Sequence, residues 1–236
     1  MLAISGLARV MRELPDSQFG GYAAGLWESD IANWLCWKVE LPGSPPDKYT
    51  ALSWSWASLN TKVTFESFWD SECLVKLIGV ELSCFPDVYG EIGDGWIVLS
   101  GYLKPIQLRQ TEFMNEVKVV GPQGEPLPFL RDTDVSHHVY MDAKPALLES
   151  PSEVFYCLPL KRNNYSVVYV YCLLLKGYQY NSTSPNRPRS SKLARPKLRA
   201  FERVGLLEIC FPGREALKKF LGWISEKPLE TEIVIR

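Results

Sequence analysis

The sequence holds two histidines, His137 and His138, and they are adjacent. Imidazole is the side chain whose ordinary pKa lies nearest neutrality, so a general acid–base role points first to this pair. Asp132, Asp134 and Asp142 lie close by in sequence and could orient one ring. Adjacent residues on a strand point to opposite faces, so the two rings would not chelate one metal together. A histidine in a surface loop is the plainer alternative. Tyr102 and Lys104 alternate along one expected strand and would share a face. Inside a barrel the Lys104 ammonium would need a carboxylate or a ligand. Outside, it is an ordinary solvated lysine. His137, Tyr102 and Lys104 are therefore the candidate catalytic residues.

Aromatic side chains are the other resource. The 8 Trp, 11 Tyr and 10 Phe make up 12% of 236 residues. Such rings serve cores, interfaces and apolar pockets alike. In Ser53-Trp-Ser-Trp-Ala-Ser58, a strand would put Trp54 and Trp56 on one face and the serines on the other. With Trp96, Tyr156 and Tyr169 they form a candidate ligand-binding wall. The alternative is a core strand with one aromatic face.

Much established chemistry has no motif here. The sequence has no G-x-x-x-x-G-K-[ST], and no G-x-G-x-x-G between a strand and a helix. Gly90 to Gly95 reads as a turn. No G-x-S-x-G elbow is present. The six cysteines (Cys36, Cys73, Cys84, Cys157, Cys172 and Cys210) show no C-x-x-C spacing. No secretory signal accompanies them, so reduced thiols in a cytoplasmic protein are expected. Asn164 and Asn181 fit the glycosylation pattern by chance on that view. No cofactor and no metal are expected. Net charge is −1, so no global field attracts nucleic acid, and no 18-residue apolar run offers a membrane span.

The elements that would position these residues follow from periodicity. Residues 2–14 are apolar at helical spacing and end at Pro15. Ser29 or Asp30 could cap a second short helix holding Ile31, Trp34, Leu35 and Trp37. From about residue 50 the chain becomes strand-like: Val63–Phe65, Leu74–Cys84, Trp96–Leu108, Glu116–Val120, Val154–Leu160, Ser166–Leu175 and Glu202–Phe211. Tyr165–Tyr171 alternates weakly, which fits a strand buried on both faces. Leu217, Phe220, Leu221 and Ile224 form one helical stripe within residues 214–225, and Glu232–Arg236 reads as a last strand. Residues 177–200 carry six basic residues and no acid, among prolines and serines. They read as a mobile basic loop that solvates rather than binds phosphate.

Several segments occur in a telling order: Leu2-Ala-Ile-Ser-Gly-Leu-Ala8, Ala24-Gly-Leu-Trp27, Ser53-Trp-Ser-Trp-Ala-Ser58, Gly101-Tyr-Leu-Lys-Pro-Ile106, Tyr156-Cys-Leu-Pro-Leu160 and Phe201-Glu-Arg-Val-Gly-Leu-Leu-Glu-Ile209. Together they resemble the C-terminal region that follows the HET domain in fungal heterokaryon-incompatibility proteins, from residue 2 to about 236. The HET domain's own motifs, Y-x-A-L-S-Y-x-W-G and W-I-D-x-x-C-I-x-Q, are absent. Tyr49-Thr-Ala-Leu-Ser-Trp54 echoes the first but belongs to the Ser-Trp repeat. The resemblance therefore implies neither cell-death activity nor a catalytic residue.

The expected fold is α+β and mostly β: an antiparallel barrel or closed sandwich with flanking N-terminal and C-terminal helices. One β-rich domain spans 1–236, with residues 1–40 packed on it. A helix that opens at residue 2 with no cap before it leaves both a complete gene product and a fragment of a longer chain open. Two functions compete. One is an apolar small-molecule-binding protein, extending to a cofactor-free cyclase or isomerase of fungal terpenoid or polyketide metabolism, a cycloaddition being the model reaction. The other is a non-catalytic interaction or regulatory module with a protein partner, as the resemblance implies.

Overall fold

On two neighbouring strands, Tyr156 and Leu158 alternate with Phe155 and Cys157, and Tyr171 and Leu173 with Cys172 and Leu174; all eight are buried. Alternating residues point to opposite faces. Burying both sets requires cover on both faces of the sheet, and the whole architecture supplies it.

The computed structural model describes residues 2–14, 19–43, 48–66, 70–85, 89, 91–111, 117–131, 134–143, 153–178, 199–226 and 232–236. The elements in chain order are helix α1 (Leu2–Glu13), strands β1 (Tyr22–Ala23) and β2 (Leu26–Trp27), and helix α2 (Ile31–Trp34). Next come strands β3 (Trp37–Val39), β4 (Val63–Phe65), β5 (Ser71–Cys73), β6 (Lys76–Phe85), β7 (Glu91–Ser100), β8 (Lys104–Gln110) and β9 (Val117–Val120). Strands β10 (Ser136–Met141), β11 (Phe155–Asn163), β12 (Val168–Gly177) and β13 (Ala200–Phe211), helix α3 (Arg214–Ser225) and strand β14 (Glu232–Ile235) complete the chain.

The main sheet runs β6-β7-β14-β13-β12-β11-β8-β9, with β10 added to β13 and β5 added to β11. The pairing is antiparallel except for β13 with β14. Strand β12 occupies one edge of β13. The other edge is shared by β14, at Ala200 and Phe201, and by β10, at Gly205 to Cys210. Strand β11 likewise divides its outer edge between β8 and β5. The sheet therefore forks on both sides of β11-β12-β13. Its described hydrogen bonding does not return from β9 to β6, so no closed barrel forms. The broader expectation stands: a mostly β fold with helices near both ends.

Each face carries its own core. Leu158, Tyr171, Leu173 and Leu206 meet Ile97, Leu99 and Ile233, together with Leu35 and Trp54 from the N-terminal part of the chain. Phe155, Cys172, Leu207 and Phe211 meet Ile106, Val119 and Phe129, and are covered by Leu217, Phe220 and Ile224 of α3. Lys218 and Lys219 face water, as the stripe requires.

Local chemistry overrode strand propensity at several points. The Ser53–Ser58 segment is not a strand: Ser55 Oγ accepts the Ala57 N–H and starts a 3-10 turn over Trp56–Ser58. Serine hydroxyls compete for nearby backbone in this way. The expected strand Trp96–Leu108 is two strands, because Gly101 sits against Val75 and Leu158 where the chain turns. Glu91–Gly95 opens β7 rather than forming a turn, and the histidines lie on strand β10 rather than a loop. Of the basic segment, residues 179–198 lie outside the described residues.

Gly205 faces β10 so closely that an added Cβ would overlap the Tyr140 carbonyl. Gly222, on the outer face of α3, has nothing within 4 Å of its Cβ position. Gly205→Ala should lower the unfolding free energy by about 1–3 kcal/mol. Gly222→Ala should raise it by about 0.5–1 kcal/mol. Urea denaturation of the two variants checks both signs.

Candidate functional site

A row of polar side chains crosses the first face of the sheet at one end. Direct cross-strand partners share a face, and the register places His138 of β10 opposite Glu208 of β13 and Glu208 opposite Tyr171 of β12. Tyr171 stands opposite Lys161 of β11, and Lys161 opposite Cys73 of β5. Lys161 reaches this face through a bulge: the register shifts between Pro159 and Lys161, so Leu160 is the extra residue. Without it, alternation would turn the ammonium into the second core. Five strands thus align an imidazole, a carboxyl, a phenol, an amine and a thiol.

The segment lying over this end of the sheet answers most of the charges. Lys38 of β3 contacts Glu66 at 2.5 Å and Glu208 at 3.3 Å, meets the Tyr140 hydroxyl at 3.3 Å, and lies 4.4 Å from that ring's centre. Burial works against the Lys38 ammonium, but Glu66, Glu208 and Tyr140 outweigh it and hold its pKa above the ordinary value. Lys161, fully buried, donates to Asn33 of α2, and Asn33 donates in turn to Asp30. Burial, reinforced by Glu208 and Glu66, pushes the Tyr171 hydroxyl well above the usual phenol range.

Arg203 lies deeper. Its guanidinium makes a two-point contact with Asp142, at 2.8 and 3.2 Å. It also donates to the carbonyls of Leu35 at 2.7 Å and Trp37 at 2.6 Å. It stacks 3.2 Å from the centre of the Trp37 ring. Burial raises the Asp142 carboxyl, and Arg203 pulls it back only in part.

The candidate catalytic residues do not come together here. His137 is half-buried and paired with Ile209, whose side chain belongs to the second core, while His138 shares the polar row and lies 4.3 Å from the Tyr140 ring. Tyr102 is exposed in the turn after β7. Lys104 is buried, not solvated: its ammonium donates to the Glu226 carbonyl beyond α3 and lies 5.6 Å from the Trp223 ring centre. Burial lowers its pKa, with Glu226 offsetting part of the effect.

The candidate ligand wall is largely core. Trp54 and Tyr156 are buried members of the first core, and Trp56 and Tyr169 pack against it. Trp96 is buried outside that cluster, paired with Glu81. The Trp56 indole donates to the Gly25 carbonyl at 3.1 Å. Gly25 has φ +94, and a Cβ there would come within 2.7 Å of the Trp56 nitrogen. Tyr169 is opposite Cys210, whose hydrogen bond raises the phenol pKa.

Sequence reasoning missed Lys38, Lys161, Arg203 and Glu208. The available signal was a charge inside an otherwise apolar strand run, as in Phe201–Ile209. Among the described residues, no group of His, Cys, Asp or Glu could hold a metal ion, and no helix is long and apolar enough to cross a membrane. Protein-family models, curated proteins and solved structures yield no match to this chain.

Arg203→Met leaves Asp142 buried without its partner and should cost about 3–5 kcal/mol of stability. Adding Asp142→Leu should recover much of that in urea denaturation; an equal loss in both variants would show that the pairing is not its source. Burial also pushes the Cys36 thiol up to about 12, against the pull of Lys161 and Arg203. An unfolded thiol titrates near about 8.5. A pKa raised on folding contributes stability that is complete below the unfolded value and lost as pH climbs through the folded one. Cys36→Ala should therefore flatten the loss of stability between about pH 8.5 and 11, measured by denaturant midpoints across that window.

Proposed function

We propose that this chain is a non-catalytic interaction module that offers helix α1 to an apolar groove on a protein partner. The supporting observation is the outer face of α1. Leu7, Val10 and Leu14 are 60%, 57% and 54% exposed, while Ser5 and Ala8 are buried and Met11 packs against the Tyr22 and Trp27 cluster. Spacing of i, i+3 and i+7 is the anchor pattern of a helix received by a groove. Leu7 and Val10 on the helix, with Leu14 one residue past its end, form an outward apolar surface that a partner would cover. The polar row favours the same reading, since its charges largely answer one another. On this reading the two cores make a sandwich-like architecture, and six free thiols suit the reducing cytoplasm. The resemblance to the region after the HET domain is consistent with such a role.

One observation favours the other reading, an apolar small-molecule site with cofactor-free cyclisation as its chemistry. The Trp54 indole N–H is buried and has no acceptor among the described residues. An unpaired buried donor costs about 1–3 kcal/mol, and a carbonyl on an apolar ligand would relieve it.

Cross-linking mass spectrometry followed by reconstitution with each identified partner tests the first reading. Binding should slow hydrogen exchange in α1, and Val10→Glu should weaken it at least about tenfold with the circular dichroism unchanged. If α1 exchanges equally fast with every reconstituted partner, the reading fails. Native mass spectrometry against a fungal metabolite extract tests the second: a retained apolar compound should be lost in Trp54→Phe. Retention of nothing would dismiss it.

A further inference from the structure

Strand β6 ends the main sheet. It pairs with β7 alone, and its outer edge makes no backbone hydrogen bond among the described residues. Such an edge presents alternate N–H and C=O groups to any strand that fits. Leu77, Val80, Leu82 and Cys84 pack against the first core yet remain only partly buried, so the core is under-covered along this side.

The edge is not regular. The register with β7 shifts between Leu77 and Gly79, which makes Ile78 the extra residue of a bulge and leaves it 49% exposed. A bulge normally defends an edge, because a regular strand cannot stay in register past it. A strand with the same bulge can. Leu77 and Val80 face inward, while Lys76 and Glu81 are exposed. This pattern reads the same in both directions about the Ile78–Gly79 bond.

We infer that β6 is the interface of a symmetric dimer, in which two copies pair antiparallel about that bond and their sheets become one. Lys76 of each copy then stands opposite Glu81 of the other, and Leu77 opposite Val80. Neither Lys76 nor Glu81 has an ion-pair partner among the described residues of its own chain. Ile78 falls opposite Gly79, where a Cβ would meet nothing within 4 Å, so the glycine leaves room for it. A two-fold interface doubles each contact, and the bulge that excludes ordinary strands selects a second copy. This inference rests on the sheet edge and is independent of α1.

Sedimentation velocity from about 1 to about 300 μM tests it, a range suited to the weak dimer that one strand edge would hold. The wild-type protein should pass from monomer to dimer. Lys76→Glu and Glu81→Lys should each weaken dimerisation at least about tenfold, because each sets two like-charge contacts across the axis. The double charge swap should restore it to within about threefold. Ile78→Asp should weaken it, and Val10→Glu should leave it unchanged. A monomer throughout the range, a dimer indifferent to the single reversals, a double swap without recovery, or a dimer abolished by Val10→Glu would each overturn the inference.

Discussion

A buried guanidinium is the constraint on which the first core depends. Arg203 reaches it from strand β13, where its neighbours on that face, Phe201 and Leu206, are apolar, and removal of such a charge from water costs several kcal/mol. Four contacts answer that cost: the two-point carboxylate of Asp142, two backbone carbonyls and the face of Trp37. The carbonyls matter as much as the carboxylate. Leu35 caps the four-residue helix α2 and Trp37 opens β3, so the guanidinium bonds backbone on both sides of the turn between them. Arginine supplies planar donors in a fixed fork and a flat surface that stacks; lysine has neither.

The same contact closes a circuit through distant parts of the chain. The Trp37 indole donates to the Trp54 carbonyl at 3.1 Å. Ser53 accepts the Arg203 backbone N–H at 3.1 Å and donates to the carbonyl of Arg236. The N-terminal cover, the Ser-Trp turn, the central strand and the last residue are thereby held at one point. This explains why the Ser-Trp repeat is not a strand. Its serines are spent on backbone groups, Ser55 on Ala24 and Ala57, and Ser53 on Arg203 and Arg236. Its tryptophans fill space around that junction.

What was legible in the sequence was whatever depends on local periodicity. The three long central strands and α3 stand close to where alternation and the helical stripe put them; of the weakly alternating Tyr165–Tyr171, only the end from Val170 is buried on both faces, while Tyr165 and Val167 are exposed before β12 begins. The forked topology was not legible, because which strand occupies half of another's edge is settled by contacts between residues far apart in sequence. The polar row was hidden for a related reason. His138, Glu208, Tyr171, Lys161 and Cys73 come from five separate segments, and Lys161 joins them only because Leu160 bulges. Lys104 was misplaced because a lysine is normally solvated, whereas here the end of α3 folds over it.

The contrast between the interior and α1 bears on function. Inside, these cations are answered: Lys38 by two carboxylates, Arg203 by Asp142 and carbonyls, Lys161 by Asn33. Chemistry on a substrate asks for a group whose charge is turned towards a space, and these are turned towards one another. α1 is arranged differently. A helix of 12 residues is marginal on its own in water and owes its stability to packing. It packs through Ser5, Ala8 and Met11 and keeps Leu7 and Val10, with Leu14 just past its end, outward. Each of those would gain about 1.5–3 kcal/mol on full burial, more than Ala8 can contribute. The apolar surface of Leu7, Val10 and Leu14 is thus left uncommitted among the described residues, whereas the charges of the polar row are already engaged with one another.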